Sequence, residues 1–173
     1  MKKKIFVPLC VVALSLSLCL FAQGSDQGWR NATPDELKAL IPPRAPVESE
    51  RIETEMRSAS GVTDGKGKFI AGVVLITAGY SANGKYSHFF ITQVPLAIGT
   101  FALYPGEYLI GWHRQGDSLA VSFYEAATGK LMGTVNAKRE ASSRVDSFRM
   151  TPPGGNPQIF IGRFSFEYHL AAK

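Results

Sequence analysis

The chain has 173 residues, of which 45% are hydrophobic, and a formal net charge of +5 from 19 basic and 14 acidic side chains. Three of the basic residues, Lys2, Lys3 and Lys4, lie at the start, so 16 basic and 14 acidic residues remain in the rest of the chain. This near balance, with no clustered basic stripe, argues against a protein that binds nucleic acid through its phosphates.

The N-terminus has the order of a secretory signal peptide. The three lysines precede an uncharged run over residues 5–22, and Ala22 and Gly24 are the small residues that a signal peptidase recognises. Pro8 and this small-residue end favour cleavage. We therefore expect a signal peptide over residues 1–24 and an exported chain, periplasmic or extracellular, with no stable membrane insertion after cleavage.

Two alternatives to cleavage stay open. The apolar run is roughly 18 residues long, at the short end of the ~17–25 that span a bilayer, so an uncleaved membrane anchor is one alternative. A lipid anchor on Cys19 is the other, although Leu18 stands where lipoprotein signals carry a small residue. Both cysteines, Cys10 and Cys19, lie in the predicted signal, so the exported chain has no disulfide and depends on its core alone.

Residues 25–46 are predicted to form a tether with one short helix. Thr33 and Glu36 have the spacing of a capping box, and Pro34 between them suits the first helical turn. The helix is expected to end where the chain becomes rich in proline, at Pro42, Pro43 and Pro46. A single β domain over residues 47–173 follows this tether.

The β domain opens with a segment of period two. Residues 51–58 alternate, with Ile52 and Met56 on one face, which predicts a half-buried strand; a helix is the alternative because Glu and Arg also favour helices. After a glycine-rich loop over residues 61–68, residues 69–77 are apolar on both faces and β-branched, which is typical of a central strand.

The rest of the chain alternates between short strands and turns. Val73, Leu75 and Ile110 are predicted core residues, and one long strand is predicted from residue 158 to about residue 169. Turns are predicted at Asn83-Gly84, Gln115-Gly116-Asp117 and Thr128-Gly129. This spacing predicts a mainly β fold, an antiparallel sandwich or barrel of about nine or ten short strands.

One phrase in this region is distinctive. Leu103, Pro105, Gly106 and Tyr108 form an L-x-P-G-x-Y pattern, interpreted as a Pro-Gly turn between two strands. The pattern resembles the strand–turn–strand of uncharacterised exported bacterial β-sandwich domains, and the similar phrase of carboxypeptidase-regulatory-like domains. The resemblance implies a β-sandwich in an exported bacterial setting, and it carries no active-site residue.

Histidine and serine side chains give no catalytic, metal or cofactor motif. His88, His113 and His169 are far apart in the sequence and lack the close pairing of zinc ligands. No G-x-S-x-G pattern marks a serine nucleophile. Ser87 and His88 are neighbours, so on a strand they are expected to point to opposite faces and not to form a nucleophile–base pair.

Carboxylates and glycines give no catalytic motif either. Glu53 and Glu55 lie about 6–7 Å apart along one strand face, a separation that a glycosidase pair can use. Arg51 and Arg57 flank them, which favours a solvated, salt-bridged face. The loop over residues 61–68 fails the spacing of a phosphate loop and precedes a strand, so it is interpreted as a turn.

Aromatic side chains are the best candidates for a contact surface. Those on the predicted last strand share a face and are interpreted as core: Phe160, Phe164, Phe166 and Tyr168. Trp112, Tyr104 and His113 are the predicted ligand-binding residues, because the strand turns polar after Trp112 and Tyr104 adjoins the Pro-Gly turn. Burial of Trp112 in the core is the alternative.

These observations favour an exported, non-catalytic binding or accessory β-sandwich of the bacterial envelope. An envelope protein or a glycan is the expected partner, and no nucleic acid or cofactor is expected. A hydrolase with a site assembled from scattered strand residues is the alternative, and a structural or assembly accessory is a third class.

Overall fold

The computed structural model describes residues 28–141 and 143–171, and the predicted signal peptide lies outside them. The predicted mainly β, antiparallel fold is confirmed. The elements, in chain order, are β1 (Arg30–Asn31), α1 (Pro34–Leu40), β2 (Arg44–Val47), β3 (Glu50–Thr63), β4 (Phe69–Leu75), β5 (His88–Thr92), β6 (Leu96–Ile98), β7 (Phe101–Leu103), β8 (Gly106–Gln115), β9 (Ser118–Glu125), β10 (Leu131–Arg139), β11 (Asp146–Met150), β12 (Gln158–Gly162), β13 (Phe164–Glu167) and β14 (His169–Leu170).

The large sheet is a nearly closed barrel. Its strands follow one another in the order β1-β3-β4-β5-β8-β9-β10-β13-β12-β11, and β2 also pairs with β3. The far end of this order returns to its beginning, because the backbone N–H of Met150 on β11 donates to Ser60 Oγ on β3 at 3.0 Å. Phe148 on β11 also packs directly on β4, where a Cβ at Gly72 would lie 2.4 Å from its ring.

Inward-facing side chains of the barrel form its main core. Phe90, Ile110 and Phe123 are fully buried there, each on a different strand. The ring of Phe123 makes edge-to-face contacts with Phe90, at 5.6 Å between centroids, and with Phe166, at 6.0 Å. Such perpendicular packing is favourable for aromatic pairs, so these rings fix neighbouring strands of the barrel against one another.

A small sheet fills one end of the barrel. It has the strand order β14-β6-β7, and its Leu96, Ile98 and Leu103 are fully buried in the main core. Phe101 lies on β10 at Gly133, where an added Cβ would approach its ring to 2.3 Å. Strands β6 and β7 connect the end of β5 to the start of β8, so the small sheet occupies the end of the barrel where those strands meet.

The L-x-P-G-x-Y phrase connects the two sheets and does not form a hairpin. β7 pairs with β6 in the small sheet, whereas β8 pairs with β5 and β9 in the barrel. The Tyr108 hydroxyl donates to the carbonyl of Tyr104 at 2.7 Å, and Tyr108 is only 5% exposed. A tyrosine that bonds back to the chain upstream is a tyrosine corner, and it fixes the sheet-to-sheet crossing.

A second core lies on the outer face of β3, β4, β5 and β8. Val73, Phe89 and Leu109 of these strands are fully buried, although they point away from the barrel interior. The segment predicted as a tether covers them with three side chains that are at most 6% exposed, Leu37, Ile41 and Ala45, and Val47 directly after it adds a fourth. The described part of that segment, from residue 28, is therefore packed against the barrel, because the outer face of these strands is apolar.

The short helix in this segment forms as predicted. Thr33 and Glu36 make the reciprocal capping box, with the Thr33 N–H donating to Glu36 Oε2 at 2.8 Å and the Glu36 N–H donating to Thr33 Oγ1 at 3.3 Å. α1 ends at Leu40, before the prolines. Within the described residues, no helix has the length and apolarity needed to cross a bilayer.

Two strand boundaries differ from the predictions. The predicted strand over residues 51–58 is confirmed, but β3 continues to Thr63 because Val62 and Ile70 pair and are both fully buried. The predicted last strand is a tight hairpin of β12 and β13, in which Ile161 pairs with Phe164. Gly162 has a φ of 64°, a left-handed conformation that glycine adopts without steric cost and that reverses the chain.

Replacing Ile41 by alanine is expected to lower the free energy of unfolding by about 2–4 kcal/mol, since Ile41 is 3% exposed in the outer core. Ile76→Ala is the matched control, because Ile76 is 43% exposed and its truncation is expected to cost less than about 1 kcal/mol. Urea denaturation measures both on the chain from Ser25 onwards, which lacks the predicted signal peptide and is called the mature protein below. Equal small effects would show that the N-terminal segment does not form part of the packed structure.

Candidate functional site

The end of the barrel opposite the small sheet is open and contains an apolar cavity of about 650 Å³. Strand register places its wall residues on the inner face of the barrel: Val74 pairs with His88, and Trp112 and Arg114 pair with Val121 and Leu119. Side chains of six strands meet there: Val74, His88, Trp112, Leu119, Ile161 and Phe164. We call this cavity the mouth.

Trp112 forms one wall of the mouth. Its side chain is 47% exposed, whereas Ile110 and Tyr108, two and four residues earlier on the same face of β8, are 0% and 5% exposed. The inner face of β8 thus passes from core to solvent at Trp112. A large aromatic ring held on a strand with one face uncovered offers a rigid apolar surface to a ligand.

Charges around the mouth are positive. None of its lining residues is an aspartate or glutamate, and the two cations are Lys85 and Arg114. Lys85 Nζ is engaged with Glu48 Oε1 at 2.7 Å. Arg114 Nε donates to the Gly116 carbonyl at 3.0 Å, and no described carboxylate lies within ion-pair distance of it.

His88 forms the floor of the mouth and is 4% exposed. Its Nε2 lies 3.0 Å from the Ser147 carbonyl, which can only accept, so Nε2 carries the proton. Burial lowers the pKa of His88 to about 4, against a smaller upward effect of the Ser147 carbonyl. The floor is therefore neutral at neutral pH.

Ser87 and His88 are in contact, contrary to the prediction that they point apart. Ser87 Oγ lies 2.8 Å from His88 Nδ1 and also donates to the Ile110 carbonyl at 3.0 Å. The prediction assumed regular strand alternation, but β5 begins at His88, and Ser87 still belongs to the preceding loop. With Nε2 protonated, Nδ1 is the acceptor, and the single Ser87 proton is shared between Nδ1 and the Ile110 carbonyl.

This contact has the distance of a nucleophile–base pair but lacks its electrostatics. A base with a pKa near 4 removes a serine proton poorly at neutral pH. The far ring nitrogen is bonded to a neutral carbonyl, not to a carboxylate that would stabilise an imidazolium. The arrangement therefore satisfies the polar groups of a buried floor.

The three predicted ligand-binding residues do not come together. Trp112 lines the mouth, whereas His113 points to the outer face of the barrel and pairs with Ala120. Tyr104 is 68% exposed and lies before the start of β8, whereas Trp112 lies near the other end of that strand. Arg114, His88 and Phe164 were not predicted site residues; the alternation of Trp112 and Arg114 along one strand was the available signal.

The charged strand face of β3 is salt-bridged, as predicted. Arg57 Nε lies 3.0 Å from Glu55 Oε1, and Arg44 Nη2 lies 2.8 Å from Glu53 Oε1. The hydrogen bonds from Arg57 lower the pKa of Glu55 to about 2, so that Glu55 stays ionised and cannot act as a general acid. In residues 28–141 and 143–171, no three His, Cys, Asp or Glu side chains group closely enough to hold a metal ion.

A larger cleft, of about 1130 Å³, lies between α1, β3 and β11. Four of its charged side chains already have partners on the protein: Arg57, Arg144, Asp146 and Arg149. Asp146 accepts from Arg144 at 2.7 Å and from Arg149 at 2.8 Å. The mouth is the better candidate, because its aromatic wall and its Arg114 guanidinium face an apolar space.

Comparisons with protein-family models, with curated proteins and with solved structures each returned no match. The resemblance to exported β-sandwich domains thus rests on the L-x-P-G-x-Y phrase alone. The function is therefore inferred from the residues of the mouth.

The free energy of unfolding is expected to fall as the pH drops below about 6.5. His88 is protonated near that pH in the unfolded state, whereas in the folded state its pKa is about 4 because it is buried. The loss assigned to His88 is about 3 kcal/mol by pH 4. His88→Gln removes this term, so its pH profile should be flatter than that of the wild type in urea denaturation. His113→Gln, at an exposed histidine, should follow the wild type; three parallel profiles would contradict the assignment.

Proposed function

We propose that this protein is an exported, non-catalytic binding protein that takes an apolar group into the mouth of its barrel. The observation that carries the proposal is Trp112, an aromatic ring 47% exposed above an apolar cavity in an otherwise well-packed barrel. Mouths of β-barrels are common ligand sites, and a volume of about 650 Å³ is within the usual range for them.

Binding there would bury apolar surface that is exposed to solvent in the folded protein. Trp112 and Phe164 come from separate strands and meet around one space, so a ligand can contact both without any rearrangement of the backbone. Burial of such rings contributes strongly to binding free energy, and a preformed cavity avoids the entropy cost of ordering a loop.

The polar groups of the mouth favour an apolar ligand over a glycan. Ser87, His88 and the Ser147 carbonyl bond to one another or to the Ile110 carbonyl. A sugar needs several unoccupied donors and acceptors for its hydroxyls, and this floor does not offer them. An apolar side chain of an envelope protein, or a free apolar molecule, fits the mouth better.

Removing the Trp112 ring tests the proposal. A neutral apolar dye, N-phenyl-1-naphthylamine, should bind the mature protein, and Trp112→Ala should weaken this binding by at least tenfold while changing the free energy of unfolding by less than about 1 kcal/mol. Tyr104→Ala, at an aromatic residue 68% exposed elsewhere, is the control and should bind normally. If Trp112→Ala lowers the free energy of unfolding by about 3 kcal/mol or more and leaves dye binding unchanged, the ring is part of the core and the proposal is wrong.

A hydrolase is the second candidate, and the 2.8 Å contact of Ser87 Oγ with His88 Nδ1 is what favours it. The test is covalent labelling of the mature protein with a fluorophosphonate. We expect no labelling. Stoichiometric labelling that disappears in Ser87→Ala would replace the binding proposal with the hydrolase.

A further inference from the structure

We infer that the ligand of the mouth is an anionic amphiphile, with its anionic head at Arg114 and its apolar body beside Trp112. This inference rests on the proposed function and specifies the chemical class of the ligand.

Arg114 is placed to bind a head group at the rim. Trp112 and Arg114 are two residues apart on the same inner face of β8, which separates their Cα atoms by about 6–7 Å. Trp112 is half exposed and Arg114 is exposed, so the strand leads from the apolar wall directly to a cation in solvent. A molecule with an apolar body on Trp112 would carry its head to the Arg114 guanidinium.

The guanidinium of Arg114 has donors to spare. Its Nε–H is used by the Gly116 carbonyl, which anchors the side chain near the β8–β9 turn. A guanidinium has five N–H donors, and its terminal fork matches the two oxygens of a carboxylate. In the described part of the chain, no aspartate or glutamate pairs with it, so an incoming anion meets no competing carboxylate there.

The charge distribution fixes the orientation of the ligand. The mouth has no aspartate or glutamate in its lining, and its other cation, Lys85, is already paired with Glu48. The floor is the buried neutral His88, flanked by the apolar Leu119 and Ile161. An anion placed on this floor would lose its hydration without a cationic partner, whereas at Arg114 it keeps both water and a counter-charge.

The experiment compares three probes of equal chain length: decanoate, 1-decanol and decyltrimethylammonium. Each competes with N-phenyl-1-naphthylamine for the mature protein at pH 7.5. Decanoate should displace the dye at a concentration at least tenfold below that of decanol, and the cation should be the weakest competitor. Arg114→Gln should bring decanoate to the level of decanol, and Arg114→Lys should keep part of the preference.

Arg51→Gln, at an exposed arginine on β3 away from the mouth, is the matched control and should preserve the preference for decanoate. Equal displacement by decanoate and decanol in the wild type would overturn the anionic head group and leave the proposed function standing. A preference for the cation, or a preference for decanoate that Arg114→Gln leaves unchanged, would also overturn the inference. Failure of the dye itself to bind would overturn the proposed function together with the inference.

Discussion

Burial of both faces of the central strands is the constraint on which this structure depends. Val73, Phe89 and Leu109 are fully buried on the outer face of β4, β5 and β8, while Ile70, Phe90 and Ile110 are fully buried on the inner face. A barrel strand normally shows one face to water, so each of these strands needs a cover on both sides. Side chains from the other strands of the barrel cover the inner face, and the segment that contains α1 and β2 covers the outer face.

The open mouth follows from how these covers are distributed. The small sheet fills the end of the barrel where β5 ends and β8 begins, and the N-terminal segment lies on the outer face. Neither covers the opposite end, where Trp112 passes from core to solvent. This rim carries an aromatic wall, a neutral floor and an arginine. Binding of an anionic amphiphile would bury the exposed part of the Trp112 ring.

Local signals in the sequence predicted most of the local structure, with the contact of Ser87 and His88 as an exception, and the other failures concern tertiary structure. The capping box of Thr33, the strand predicted over residues 69–77 and the turn at Gly116 depend on neighbouring residues, and all are present, although the strand, β4, ends at Leu75. The strand partners of residues 101–108 and the chain reversal at Gly162 depend on which apolar surfaces of distant strands must be buried. A single sequence does not show which strands lie next to one another. The mouth collects residues from six strands spread over about half of the chain, and Trp112 is the predicted ligand-binding residue that lies in it.

The most direct test of the mouth as the binding site uses the two tryptophans of the chain, Trp29 and Trp112. Trp29 precedes β1 and packs against the core at the opposite end of the barrel, so the two indole N–H signals report on opposite ends. Titration of the ¹⁵N-labelled mature protein with N-phenyl-1-naphthylamine should shift the Trp112 indole signal and leave that of Trp29 in place. Saturable dye binding with an unmoved Trp112 signal would contradict the account.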